Sequence, residues 1–164
     1  MNMRQVGETS PPDMVRQRVR VWLRMLKATK RIEATIRENL RVDFDTTLPR
    51  FDVLAALYRF ENGLKMSELS AALRVSNGNV TGIVERLVGD GLLLRVPVEG
   101  DKRATLVRLS RRGLEEFERM ADAHAIWVSD ILEDLPSEDC ERMIAILGSV
   151  GKSPKLTARI DGND

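Results

Sequence analysis

Apolar residues recur every three or four positions along six stretches of the chain, and each stretch reads as a helix with one side turned inward. Val15, Val19, Trp22 and Leu26, then Ile32, Ile36 and Leu40, trace a long N-terminal helix. Phe51, Leu54, Leu57 and Tyr58 mark a second, opened by Pro49, whose missing N–H costs nothing in a first turn. Met66 to Leu73 is a short amphipathic helix with Ser67 as its expected N-cap. Val80, Ile83, Val84, Leu87 and Val88 stripe a fourth. Leu114, Phe117, Ala121, His124, Val128, Ile131 and Leu135 form a heptad-like seam on a fifth, capped by Ser110. After Pro136-Ser137 restarts the chain, Cys140, Met143, Ile144, Leu147 and Val150 share one side of the last.

The joints between these helices define the architecture. Arg74-Val75 is a tight turn and Ser76 a cap for the helix that follows, so residues 66–89 read helix, turn, helix. Gly91 ends that helix. Leu92 to Val98 is extended, Glu99-Gly100-Asp101-Lys102 supplies turn chemistry, and Arg103 to Leu109 returns to close a hairpin. The fold class is therefore mainly α with a small β-hairpin wing. We expect an unstructured N-terminus over residues 1–13, a dimerisation helix and linker over 14–47, a winged helix-turn-helix over 48–109, C-terminal dimerisation helices over 110–150 and a loose tail over 151–164.

The stripe on the fourth helix leaves its other face free. That face carries Asn77, Thr81, Glu85 and Arg86 with Gly78 and Gly82, polar or small groups able to reach base edges and phosphates. A net charge of +1 argues at first against a nucleic-acid binder. The local balance reverses this: Arg86, Arg95, Lys102, Arg103, Arg108, Arg111 and Arg112 stand against only Asp90, Glu99 and Asp101, and phosphate neutralisation depends on the local surface.

Composition narrows the alternatives. At 164 residues, 43% hydrophobic and 31% charged, the chain has the size of one soluble domain. No apolar stretch approaches the roughly 20 residues that cross a bilayer, and Met1-Asn2-Met3-Arg4 does not begin a signal peptide, so a cytoplasmic location and no membrane partner are expected. One Cys and one His build neither a disulfide nor a usual metal site, and no cofactor is implied. No nucleophile-base set or phosphate-binding glycine loop is present, which argues against an enzyme.

Taken together, the Leu69/Leu73 helix, Ser76 through Thr81, Arg86-Leu87, Gly91-Leu92, Arg95, the wing Asp101-Lys102-Arg103, Leu109-Ser110 and Gly113 resemble the MarR family of bacterial transcription regulators. The resemblance covers most of residues 48–115, and Asn77-Gly78-Asn79 departs from it in its richness in Gly and Asn. It implies a homodimer on double-stranded DNA. Two recognition helices would enter successive major grooves about 10 bp apart on a pseudo-palindromic operator, with the wings in the flanking minor grooves. Ser76, Asn77, Asn79 and Thr81 become candidates for base or backbone contacts and Arg86 for a phosphate. Arg103 becomes the minor-groove residue, oriented by Asp101 beside Lys102, while Arg95 meets phosphate or braces the wing.

A regulator needs an input. Cys140, the sole thiol, lies on an apolar stripe and reads as a small buried hydrophobe, with a redox centre as the lesser alternative. His124 and Trp127 share a helix face with Met120 and Ile131, and Trp22 lies on the first helix; an aromatic ligand would suit them, as would plain core packing. Arg16, Arg18, Arg20, Arg24, Lys27, Lys30 and Arg31 crowd one stretch without an acid, a surface for phosphates or simply a solvated face. The stretch from Phe44 to Asp52, with Val75 to Thr81 and His124 to Val128, resembles the MarR subgroup that responds to hydroxycinnamoyl-CoA thioesters. That implies a repressor released by an aryl-CoA such as p-coumaroyl-CoA, with Arg24, Lys27, Lys30 and Arg31 on the CoA phosphates and Trp22, His124 and Trp127 near the aryl end. The alternatives are a regulator of a free phenolic or drug, and a winged-helix module for protein contacts or non-specific DNA binding.

Overall fold

The computed structural model describes residues 12–75, 77–98 and 101–151, with backbone alone at 77, 98 and 101–104. Ser76, expected to cap a helix, lies outside the described residues, as do residues 1–11 and the tail from 152. The chain divides into two units, one reaching Trp127 and one starting at Val128.

The first unit opens with α1 (Pro12–Phe44), 33 residues and therefore about 50 Å long. It begins two residues before the expected start, with Pro12 in the first turn, where proline is tolerated. Only its C-terminal part is covered by the rest of the unit: Ile36 and Leu40 are buried, whereas Val15, Val19, Trp22 and Leu23 are about half exposed. Next come α2 (Leu48–Tyr58), β1 (Leu64–Lys65), α3 (Met66–Leu73) and α4 (Asn77–Gly89). Then β2 (Leu93–Val98) and β3 (Asp101–Leu109) lead into α5 (Arg111–Ile131). Phe51, Leu54 and Leu57 of α2 join Leu69, Val80, Val84 and Leu87 in one core, as their spacing predicts. Phe117 and Met120 of α5 are buried as well, and the Phe117 ring packs against Phe51 at 5.5 Å and Tyr58 at 4.9 Å.

The hairpin wing stands and gains a third strand, an antiparallel sheet in the order β1-β3-β2, because Leu64 pairs with Val107 and Lys65 with Leu106. Three sequence expectations need correction. The cap of α3 is Lys65, not Ser67: the strand runs straight into the helix, and the Glu68 carboxylate accepts the Lys65 backbone N–H at 2.7 Å. The hairpin turn is shorter than four residues, since β3 already begins at Asp101, which pairs with Val98. Finally, α5 ends at Ile131, so Leu135 falls in the following turn and not on the helical seam.

Ser110 does cap α5, its Oγ accepting the Gly113 N–H at 2.9 Å while its own hydroxyl donates to the Gly91 carbonyl at 2.7 Å. The second unit holds the last turn of α5 and α6 (Ser137–Ser149). No residue of α6 is buried, and Met143, Ile144 and Leu147, the apolar side read from the sequence, face outward in the single chain.

Candidate nucleic-acid interface

The recognition element is built from the end of α3 onward. Arg74 takes the left-handed conformation (φ 53°), its N–H bonded to the Ala71 carbonyl and the Val75 N–H to that of Ser70, which closes α3 in a Schellman turn. A non-glycine residue there costs about 1 kcal/mol. Val80, Val84 and Leu87 are fully buried and fix which side of α4 faces in. Gly78, Asn79, Gly82, Glu85 and Arg86 are exposed on the other, and a side chain at Gly78 or Gly82 would meet open space. Thr81 is half-buried. Asn77 begins α4, but its side chain lies outside the described residues; so do the side chains of Asp101, Lys102 and Arg103, which open β3 beyond a register shift between Pro97 and Val98.

The C-terminal end of α4 is held by its neighbours. Gly91 (φ 74°) terminates the helix, with its N–H on the Val88 carbonyl and the Leu92 N–H on that of Leu87. Arg50 of α2 pairs with Asp90 at 2.6 Å, and Arg112 Nη1 donates to the Asp90 carbonyl at 3.3 Å. Arg111 pairs with Glu115, and Arg95 on β2 approaches Glu85 of α4 at 4.0 Å, which braces the wing against the helix. Three of the basic side chains counted toward DNA therefore have intrachain partners, while Arg86 and Arg108 are exposed. Sequence reasoning missed Arg50 and Asp90. One signal was available: an acid at a helix C-terminus opposes the helix dipole and calls for a cation nearby.

The candidate ligand residues fall into two places. His124 stacks on Phe51 at 5.0 Å and Trp127 meets Phe44 edge-on at 6.0 Å, so these two share one aromatic cluster. Trp22 lies 22 residues before Phe44 on the same helix, about 33 Å away. One chain does not bring Trp22 to that cluster, and Arg24, Lys27, Lys30 and Arg31 are exposed along the helix between. A cavity of about 470 Å³ lies among Phe44, Arg50, Leu54, Asp90, Arg112 and Met120. Another, of about 390 Å³, lies among Pro49, Val53, Leu73, Val80 and Ile83, with Asp52 at its wall.

Asp52 stays exposed at the surface, yet desolvation by the groups around it pushes its carboxyl above the usual value of 3.8, the Glu33 carboxylate adds to this, and His124 opposes it. The folded state thus disfavours the charged form. The penalty is absent below pH 3.8 and fully present above the raised value, so stability is lost as pH rises through that window. Asp52→Asn is expected to melt higher than the parent at pH 7 and at the same temperature near pH 3, as scanning calorimetry at the two pH values would show.

These features define a winged helix-turn-helix protein. The MarR family model matches residues 44–104, so over that stretch the chain is similar to that family. The chain is 33% identical over 104 residues to the HTH-type transcriptional regulator PecS of Dickeya dadantii, a stretch that spans 62% of this chain and 63% of that relative's length. Its fold is similar to a MarR family transcriptional regulator from Silicibacter pomeroyi, with a TM-score of 0.71, 28% identity and coverage of 85% and 96% of the two chains. It is also similar in fold to a MarR mutant from E. coli complexed with operator DNA, with a TM-score of 0.72, 22% identity and coverage of 82% and 95%. Among the described residues, no helix is long and apolar enough to cross a membrane.

Proposed function

We propose that this protein is a sequence-specific DNA-binding transcription regulator that acts as a homodimer. The observation that carries the proposal is α4: three fully buried residues lock its orientation, and the face they leave outside bears Asn79, Glu85 and Arg86 with two glycines that permit close approach to DNA. The fold shared with the operator-bound E. coli protein supports the same use of the helix. Homodimerisation is supported by the bare apolar residues of α1 and α6, which a lone chain leaves in water. With two heads, the operator is a pseudo-palindrome with half-sites about one helical turn apart.

The test is a titration of a palindromic fragment from the region upstream of the protein's own reading frame against random DNA, at two salt concentrations. We expect at least a thousandfold preference for the palindrome, with both affinities falling as salt rises. Equal affinity for the two DNAs would leave only a non-specific module.

The effector in this reading is a small aromatic molecule, and more narrowly a hydroxycinnamoyl-CoA thioester that releases a repressor. The aromatic cluster of Phe44, Phe51, His124 and Trp127 supports an aryl guest, and the basic run of α1 supports a phosphate-bearing one. Because Trp22 is remote from that cluster within one chain, its contribution comes from the partner copy. The ligand must bind the DNA-incompetent arrangement more tightly, since equal affinity shifts nothing. We expect p-coumaroyl-CoA, and not free CoA, to raise the melting temperature and release operator DNA; release by p-coumarate alone would reassign the input to a free phenolic.

A further inference from the structure

We infer that Asp90 is a positioning residue for DNA recognition: clamped by Arg50 and Arg112, it sets the tilt of α4 relative to α2 and α5 without touching DNA. The inference rests on the DNA-binding reading above. An isolated carboxylate at the end of α4 would face the partial negative charge of the last carbonyls. Here the Asp90 side chain accepts from Arg50 Nη2 at 2.6 Å, and its backbone carbonyl accepts from Arg112 Nη1 at 3.3 Å. The two cations come from the first turns of α2 and α5, so a single residue ties the recognition helix to both neighbours. The Arg50 side chain is only 23% exposed, which holds its guanidinium on Asp90 and away from use as a free phosphate ligand. Ser110 completes the clamp one residue on, at the Gly91 carbonyl.

This anchor matters because of where the contacts lie. The exposed face that meets bases starts at the other end of the helix, near Asn79, about 16 Å from Asp90 along the axis. A tilt of about 5° about the anchored end moves that face by more than 1 Å. Hydrogen bonds to base edges span a window of about half an ångström, so such a shift breaks them, whereas ionic contacts to phosphate tolerate it. Loss of the clamp should therefore cost specific binding and spare non-specific binding.

The experiment uses the full chain and the palindromic fragment and random DNA named above, with Arg50→Gln, Asp90→Asn and the Arg50→Asp/Asp90→Arg double variant. Each single change is expected to weaken operator binding about tenfold, with random-DNA affinity and salt slope unchanged and the melting temperature within a few degrees of the parent. The exchanged pair should recover most of the operator affinity, which a general loss of folding would not. Unchanged operator affinity in both single variants would overturn the inference. So would a salt slope lowered by about 0.9 per copy in Arg50→Gln alone, because that marks Arg50 as a phosphate contact. If a single variant unfolds, the exchanged pair decides: a folded double variant that still binds operator weakly overturns the inference. A parent protein that does not distinguish the two DNAs sinks the DNA-binding reading itself, and this inference with it.

Discussion

Gly113→Ala is expected to destabilise the protein by roughly 3 kcal/mol or more, a melting-temperature loss on the order of 10 °C. A methyl group at this position would lie 1.9 Å from the Leu92 carbonyl oxygen and 2.8 Å from the carbonyl carbon, both backbone atoms that cannot swing aside. The contact lies where α5 passes under the start of β2, and the Leu92 carbonyl already accepts the Ser110 N–H at 2.9 Å, so moving it breaks a second bond. Gly82→Ala is the matched control. Its methyl would meet open space on an exposed helix, and losing glycine's backbone freedom should leave stability unchanged or raised by up to about 1 kcal/mol. Circular dichroism melts of both variants check the pair, and equal melting temperatures would mean that α5 and β2 are less closely apposed than described.

Arg103→Ala should have the largest effect on binding. The wing resembles one in which Asp101 orients Arg103 toward a narrow minor groove, where the potential is most negative. Removing the guanidinium is expected to cost about 1–3 kcal/mol per recognition head and to lower the salt slope by about 0.9 per lost ionic contact. The melting temperature should stay that of the parent. Fluorescence anisotropy on the palindromic fragment over a salt series measures affinity and slope together. A variant that melts early would reassign Arg103 to holding the wing together, and one with parental affinity would remove it from the interface.

What could be read in advance depended on whether the cause was local. The stripe of α4 was legible because Val80, Val84 and Leu87 obey one helical period and all three are fully buried. Ser110 and Gly91 were legible for a similar reason, since a cap and a left-handed stop act within four residues. β1 was not: two residues carry no period, and Leu64 is a strand residue only because Val107, 43 positions later, pairs with it. Ser67 looked like a cap by the local rule, yet β1 fixes Lys65 at the junction. The Arg50–Asp90 pair spans 40 positions and follows no repeat, so only the fold reveals it. The wing residues Asp101 to Arg103 gained meaning through family resemblance and not through pattern, and the separation of Trp22 from His124 and Trp127 followed from helix length alone.

The order β1-β3-β2 has a consequence for how the protein behaves when its copies are crowded together. A sheet with free borders invites a neighbouring molecule to add a strand. Here one border is β1, only two residues long, and the other is β2, where Pro97 lacks an N–H to offer and the register slips beside it. Adjacent wings therefore find no template for zippering edge to edge, and the protein can reach a high local concentration while its main-chain hydrogen bonding stays its own.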